Sequence, residues 1–409
     1  MGLPYQVFIA LRYLKSRKRH RGLSFNTAIS IGGVAVGVMA LLVVLSVMSG
    51  FHEDLQKKIL GVTAHVVVLE YTGPMEDYPE VMEKIKGEPH VLGASPFVLG
   101  QAMISREGKA QGVFVRGIEP ALESKTTRLE GYMKEGSLED LDRQEGPPGI
   151  VLGMELADRL GAYKGDTVRI ISPTGTTGPL GLMPRVKQFE VAGVFEVGMF
   201  EYDSNLVLMG MGPAQEFFGL GEAVTGLELR VDDIYRAGEV GKDIQQKLGF
   251  PYYARDWIQM NKNLFAALRL EKFTMFVILT LIVLVAAFNI VSTLMMNVIE
   301  KEREIAILKA MGASNRGIMS VFMLQGFLIG LVGTVIGITG GWLLGYLMNT
   351  YEIIKLPPDV YYLSHLPVKM NLVDFLVVSS SAVVISFLAT IYPAWQASRL
   401  NPIEPLRYE

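Results

Sequence analysis

The chain contains no cysteine, which excludes disulfides, thiol nucleophiles and cysteine-based zinc sites. It also leaves the chain free to fold in an oxidising or a reducing space. Histidine is scarce, with five among 409 residues, and none falls in an HExxH pattern. No nucleophile elbow and no P-loop occur either, so neither an active site nor a nucleotide cradle is expected. Charge is thin as well: Asp, Glu, Lys and Arg make up 19% of the residues and nearly cancel, to a net −3. No basic field points to nucleic acid. Against these shortages stands an excess of apolar residues, 50% of the chain with a mean hydropathy of +0.32, too much for an ordinary soluble protein of two domains.

Charge is absent altogether from four stretches, Gly22–Phe51, Phe273–Ile299, Gly317–Tyr351 and Phe375–Ser398. Each is long enough for the roughly 20 residues that a helix needs to cross a bilayer core. Before the first stretch stand Arg12, Lys15, Arg17, Lys18, Arg19 and Arg21 with no acidic residue, so the positive-inside rule places the N-terminus in the cytoplasm. Four crossings return the C-terminus to the same side. A cleaved secretory signal is the alternative reading of the first stretch, but its uncharged run is too long and lacks a convincing cleavage site. Val7, Leu11 and Leu14 share one helical face, as expected of a helix lying on the membrane surface, with a solvated basic tail as the alternative.

The resulting division is a cytoplasmic amphipathic helix at 1–24, transmembrane helices at 25–50, 272–299, 317–351 and 375–398, and a large periplasmic domain at 51–271. A cytoplasmic helix at 300–316, a periplasmic loop at 352–374 and a cytoplasmic tail at 399–409 complete it. Within the external domain, alternation and β-branched runs predict strands at His65–Glu70, Phe97–Ser105, Gln111–Ile118, Thr167–Ser172, Phe189–Glu196, Asn205–Met209 and Gly226–Val231. Helical spacing predicts helices at Tyr78–Lys86, Val151–Leu160, Ala214–Phe218 and Tyr235–Leu248. The fold class is therefore an α-helical membrane protein with four spans and an α+β external domain in two lobes. Between two of the strands, Ser172–Gln188 is rich in Gly, Pro and Thr and carries Leu180, Leu182 and Met183. It reads either as a flexible connection or as a loop whose apolar tip meets a partner.

None of the four stretches holds an ionisable residue, which argues against ion-coupled transport, and no inverted repeat of the secondary-transporter kind is present. The third carries Gly326, Gly330, Gly333, Gly337, Gly341 and Gly345, a ridge of small residues that admits another helix closely. Packing within the chain is expected over a subunit interface. Gly33 and Gly37 repeat the pattern in the first span. The cytoplasmic connection Glu300–Arg316 begins with acids, continues to Lys309 and meets Gly312, the order that suits a short helix and its stop. Ile305, Leu308 and Met311 share a face that could dock in a groove of a cytoplasmic partner or lie on the lipid surface.

The run Glu-Lys-Glu-Arg-Glu-Ile-Ala-Ile-Leu-Lys-Ala-Met-Gly-Ala-Ser at 300–314 closely resembles the signature of FtsX/MacB-type ABC permeases, and Tyr392–Glu409 resembles their ending. Leu11-Arg12-Tyr13-Leu14 and the segment from Gly37 to Phe51 resemble the LolC/LolE lipoprotein-releasing branch. Ser49 stands where the branch usually has Asn. The resemblance spans the chain. It implies a permease subunit that works with a LolD-like ATPase dimer and a second LolC/LolE-type permease, identical or homologous. Together these lift lipoprotein substrates out of the inner membrane by mechanotransmission and pass them to a LolA-like periplasmic carrier. No cofactor is expected in this chain, ATP and Mg being bound by the ATPase.

By this resemblance Glu300, Glu302, Arg303, Glu304, Ile305, Leu308, Lys309, Met311 and Gly312 form the ATPase-coupling segment. Pro179, Leu180, Gly181, Leu182, Met183, Pro184 and Arg185 resemble a carrier-recruiting hook, with Lys187 beside it. Glu196–Asn205 looks like a feature of single-permease versions, so a dual-purpose homodimer is expected. Met48, Phe51, Phe265 and Leu268, on the outward continuations of the first two spans, are candidates for lipoprotein contact, with core packing as the alternative. The competing readings are a MacB-like efflux permease, which commonly carries a fused nucleotide-binding domain, and an FtsX-type signalling permease controlling a wall hydrolase, whose external part is generally smaller.

Overall fold

The computed structural model describes residues 5–15, 21–143, 146–178, 181–351 and 366–400. These fall into two compact units, one running to His52 and resuming at Ala267, the other extending from Glu53 to Ala266.

The first unit is helical. It contains α1 (Tyr5–Lys15), most of α2 (Arg21–Val62), and, after the second unit, most of α10 (Lys262–Glu300), α11 (Glu302–Ala310), α12 (Asn315–Tyr351), α13 (Leu372–Ala389) and α14 (Ile391–Ser398). Among the described residues, four helical stretches are long and apolar enough to cross a membrane: Asn26–Val62, Lys262–Glu300, Asn315–Tyr351 and Leu372–Ser398. Each contains or overlaps one of the uncharged stretches. Their ends run further than the uncharged residues because a helix does not stop where charge begins.

The glycine ridge of α12 is used inside the chain. A Cβ added at Gly326 would stand 1.9 Å from Thr390 Cγ2, and one at Gly330 2.3 Å from Ser386 Cβ, so the first half of α12 lies directly against α13 and the start of α14. Further along, Gly333 and Gly337 face Val34 and Val38 of α2. Without a hydrophobic driving force between helices in lipid, such close backbone approach supplies the dispersion contact that holds a bundle. Ser30 adds polar ties from α2 to α10, donating to Asn289 Oδ1 at 3.1 Å and Thr293 Oγ1 at 2.6 Å.

The second unit is built on one sheet. Its strands are β1 (Val66–Glu70), β2 (Val91–Arg106), β3 (Lys109–Ile118), β4 (Met133–Glu135), β5 (Gly149–Gly153), β6 (Thr167–Gly178), β7 (Gly181–Phe195), β8 (Leu206–Gly210), β9 (Gly226–Val231) and β10 (Tyr252–Asp256). They hydrogen-bond in the order β10-β1-β9-β2-β3-β8-β5-β7-β4, with β6 pairing β2 and β7. The helices are α3 (Tyr78–Lys86), α4 (Pro120–Thr126), α5 (Met154–Leu160), α6 (Phe200–Asn205), α7 (Met211–Phe218), α8 (Ala237–Leu248) and α9 (Trp257–Met260). Among the described residues, hydrophobic cores form around two groups of helices on this sheet. One gathers Val98, Ile104, Val115, Ile150, Leu156 and Phe217 around α5 and α7; the other gathers Val66, Val81, Ile85, Leu229, Val240 and Ile244 around α3 and α8.

Two expectations need correction. Val151–Leu160 is not a single helix: Gly149–Gly153 is a fully buried strand and the helix begins at Met154. A short apolar run reads alike in either state, and pairing to β7 and β8 on both sides decides it. The described part of Ser172–Gln188, all but Pro179 and Leu180, is likewise strand and not loop. Strands β6 and β7 continue through it as a hairpin, with Thr177 opposite Leu182 and Gly178 opposite Gly181.

Candidate functional site

Helix α11 follows Lys301, and Glu302 and Glu304 in its first turn with Lys309 in its last complement the helix dipole. Gly312, with φ of +97°, takes the left-handed turn that ends it. Ile305 is buried among Val298, Ile318, Phe322, Ala394 and Ala397, with Leu308 packed at the edge, and Ala306 is buried as well. Lys309 donates from Nζ to the carbonyl oxygens of Ser398 at 2.6 Å and Leu400 at 2.8 Å, and Lys301, almost fully buried, pairs with Glu304.

The expected shared face of Ile305, Leu308 and Met311 is therefore divided. Ile305 belongs to the core, whereas Met311 is 72% exposed and Ile307 44% exposed. Arg303, Ile307 and Met311, spaced four apart, make an exposed stripe with Glu300, Glu304 and Gly312 beside it. Ile307 falls off the face that helical spacing draws through Ile305, Leu308 and Met311, so that pattern does not name it.

Of the hook residues, Pro179 and Leu180 lie outside the described residues. Gly181, Leu182 and Met183 begin strand β7, and Pro184 is exposed. Arg185 donates from Nη1 to the carbonyl oxygens of Glu216 and Phe217, both at 3.2 Å, and Lys187 pairs with Glu216 Oε2 at 2.6 Å. These bonds fasten the base of the hairpin to the end of α7, so both cations have partners within the chain. Met48, Phe51 and Leu268 are half-buried. Phe265 packs edge-on against Trp257 at 5.0 Å, at the margin of the second core.

Among the described residues no group of three or more His, Asp and Glu is placed to hold a metal ion. What these segments present is a short helix with an exposed mixed stripe and a hairpin fastened at its base to α7.

Residues 27–247 match the model of the MacB-like periplasmic core domain and residues 276–402 that of the FtsX-like permease C-terminal region. The chain is 40% identical over 414 residues to the lipoprotein-releasing system transmembrane protein LolC of Xylella fastidiosa, covering 99% of each chain. To the protein of that name in Neisseria meningitidis it is 37% identical over 413 residues, again covering 99% of each. The lipoprotein-releasing system transmembrane protein LolE of Haemophilus influenzae is 28% identical over 420 residues, with 99% of each covered.

Proposed function

The chain belongs to the LolC/LolE family of lipoprotein-releasing transmembrane proteins, and from that premise we propose how it works. It is the permease of an ABC-type lipoprotein-releasing system. The observation that carries this is the 40% identity extending over 99% of both chains. ATP is hydrolysed by a separate LolD-like ATPase dimer, which holds the nucleotide and Mg. It engages the exposed stripe Arg303, Ile307 and Met311, with Glu300, Glu304 and Gly312 at its edge. A second permease, identical or homologous, completes the membrane part.

The four long apolar helices cross the inner membrane with both termini in the cytoplasm, supported by the basic run before the first span. The sheet domain then faces the periplasm, its two separate cores supporting a two-lobed architecture. Movement of the ATPase reaches α10 and α12 through α11, because Ile305 is packed between them. The hairpin β6–β7 recruits a LolA-like carrier, which takes the lipoprotein sideways from the bilayer.

Co-reconstitution of this chain with its ATPase in vesicles loaded with a lipoprotein tests the reading. ATP should drive release only when a soluble periplasmic carrier is supplied, and release without hydrolysis would sink it. Topology is tested separately. Because the chain lacks cysteine, single cysteines at Ile307 and Glu83 should react from opposite sides of the membrane with an impermeant maleimide.

A further inference from the structure

Successive side chains on a strand point to opposite faces. Strand β2 sends Val98, Ala102 and Ile104 into the first core, and β1 and β9 send Val66, Val68, Leu227 and Leu229 into the second. The alternate residues therefore occupy the other face of the sheet, where half-buried antiparallel strands normally carry polar groups. Here much of that face is apolar, with Gln101, Arg116 and Glu228 as its polar members. Phe97, Leu99 and Phe114 line a cavity of about 460 Å³ with Val62 at the end of α2 and Met260 of α9. Leu99 and Phe114 remain 47% and 46% exposed.

The apolar face continues beyond the cavity. Met103 of β2 stands opposite Ile171 of β6, which stands opposite Val186 of β7, and Met103 and Val186 are 46% and 56% exposed. Pro184 shares a second depression with Met103, Phe114 and Ile171. A contiguous exposed apolar surface of this kind marks a binding site. The volume suits a small ligand site and is about three times the roughly 150 Å³ that accepts benzene.

Charge identifies the occupant. Arg116 at the base donates from Nη1 to Val62 O at 2.8 Å and from Nη2 to Glu123 Oε1 at 2.6 Å, and also pairs with Glu228. Both Nη groups are thus engaged within the chain. The cavity's other charges, Glu201 and Arg255, are of opposite sign. Arg116, the buried cation of the cavity, is thus already paired with two carboxylates and Arg255 is exposed to solvent, whereas a hydrocarbon needs no polar partner.

We propose that this sheet face is an acyl-binding groove, which takes a fatty acyl chain of the lipid-modified substrate on its way to the carrier. It rests on the lipoprotein-release reading. The test places a photo-crosslinking amino acid at Leu99 or Phe114 of the full chain, in membranes with its ATPase, with Glu83 on α3 as the control position. Capture of an acylated lipoprotein, falling at least tenfold when the same substrate lacks its lipid-bearing cysteine, is expected. Equal capture of the unacylated form, or capture only of the carrier or of a second permease, overturns the proposal. A second arm uses Leu99→Asp and Phe114→Asp, which replace exposed side chains. Release should fall at least fivefold at unchanged basal ATP hydrolysis, and unaltered release also overturns it. Failure of the unmodified protein to release lipoprotein would instead overturn the reading beneath it.

Discussion

Lys309 reaches from α11 to the carbonyl oxygen of Ser398, 2.6 Å away at the end of α14, and its same Nζ donates to Leu400. A lysine expected to face a partner thus secures α11 to α14 of its own chain. Hydrogen bonds to a charged group contribute about 1.5–3 kcal/mol. Lys309→Met should loosen the segment after α14, and trypsin should cut after Arg399 about tenfold faster. Lys309→Arg, which keeps a donor, should restore most of the protection.

The inner and outer faces of α11 separate two kinds of defect. Ile305→Ala removes a fully buried side chain and should destabilise the helical unit by about 2–5 kcal/mol, read as earlier thermal unfolding. Ile307→Asp and Met311→Asp change exposed residues, so the chain should remain folded and inserted. They should instead lower co-purification of the ATPase by at least tenfold. Undiminished ATPase recovery with both aspartates present would remove this stripe as the docking surface.

The glycine contacts of α12 yield a graded prediction. Gly326→Ala and Gly330→Ala would each drive a Cβ into a neighbouring helix, and such overpacking costs about 1–3 kcal/mol. Gly32 has nothing within 4 Å of an added Cβ, so Gly32→Ala should be neutral or stabilise by up to about 1 kcal/mol through helix propensity. Thermal unfolding of the three variants in one detergent would rank them. If Gly32→Ala were the most damaging, the helix packing described above would be wrong.

The four spans and α11 were legible because lipid imposes a length and a purity of composition that few other structures share. The ridge from Gly326 to Gly345 named α12 as a packing helix, although nothing in one sequence could name Thr390, Ser386 or Val34 as the residues it meets. The external domain was less legible. Gly149–Gly153 is buried on both faces, so its apolar run carries no period, and Pro173–Gly178 has a turn-like composition that pairing with β7 overrides. The apolar face was present in β2, where Leu99 and Met103 alternate with Val98, Ala102 and Ile104, but only the sheet's layers reveal that one set remains uncovered.

The buried triad gives the domain a pH dependence of definite sign. Burial pushes Glu228 up to about 7 from 4.5, with Arg116 opposing and Glu123 adding to the rise. A carboxyl raised in the folded state favours its neutral form there. Its contribution is therefore most favourable below about pH 4.5 and is lost as pH climbs through about 7. A shift of this size corresponds to about 3 kcal/mol. Glu228→Gln keeps a neutral acceptor for Arg116 and should flatten the decline, melting higher than the unmodified protein at pH 8 while matching it near pH 5. A parallel pH profile in both proteins would assign the dependence to other groups.

The hairpin supplies the most direct test of carrier recruitment. Arg185 and Lys187 secure its base to Glu216 and Phe217, so the residues beyond them can change without releasing the strands from α7. Replacing Leu182 and Met183 with Ser, or deleting Leu180 to Met183, removes apolar area from the tip while leaving that anchorage. Carrier binding should fall at least tenfold while ATP hydrolysis and substrate capture continue, because the proposed acyl-binding face draws on Ile171, Pro184 and Val186 of the hairpin and not on these tip residues. Arg185→Glu should act differently, since it breaks two bonds to α7 carbonyls and frees the base as well as reversing a charge. Its binding defect should therefore persist at high salt, whereas loss of electrostatic orientation alone would be screened there. If the shortened hairpin loads the carrier at the normal rate, the segment is only a connection between β6 and β7, and recruitment must lie on another surface of the domain.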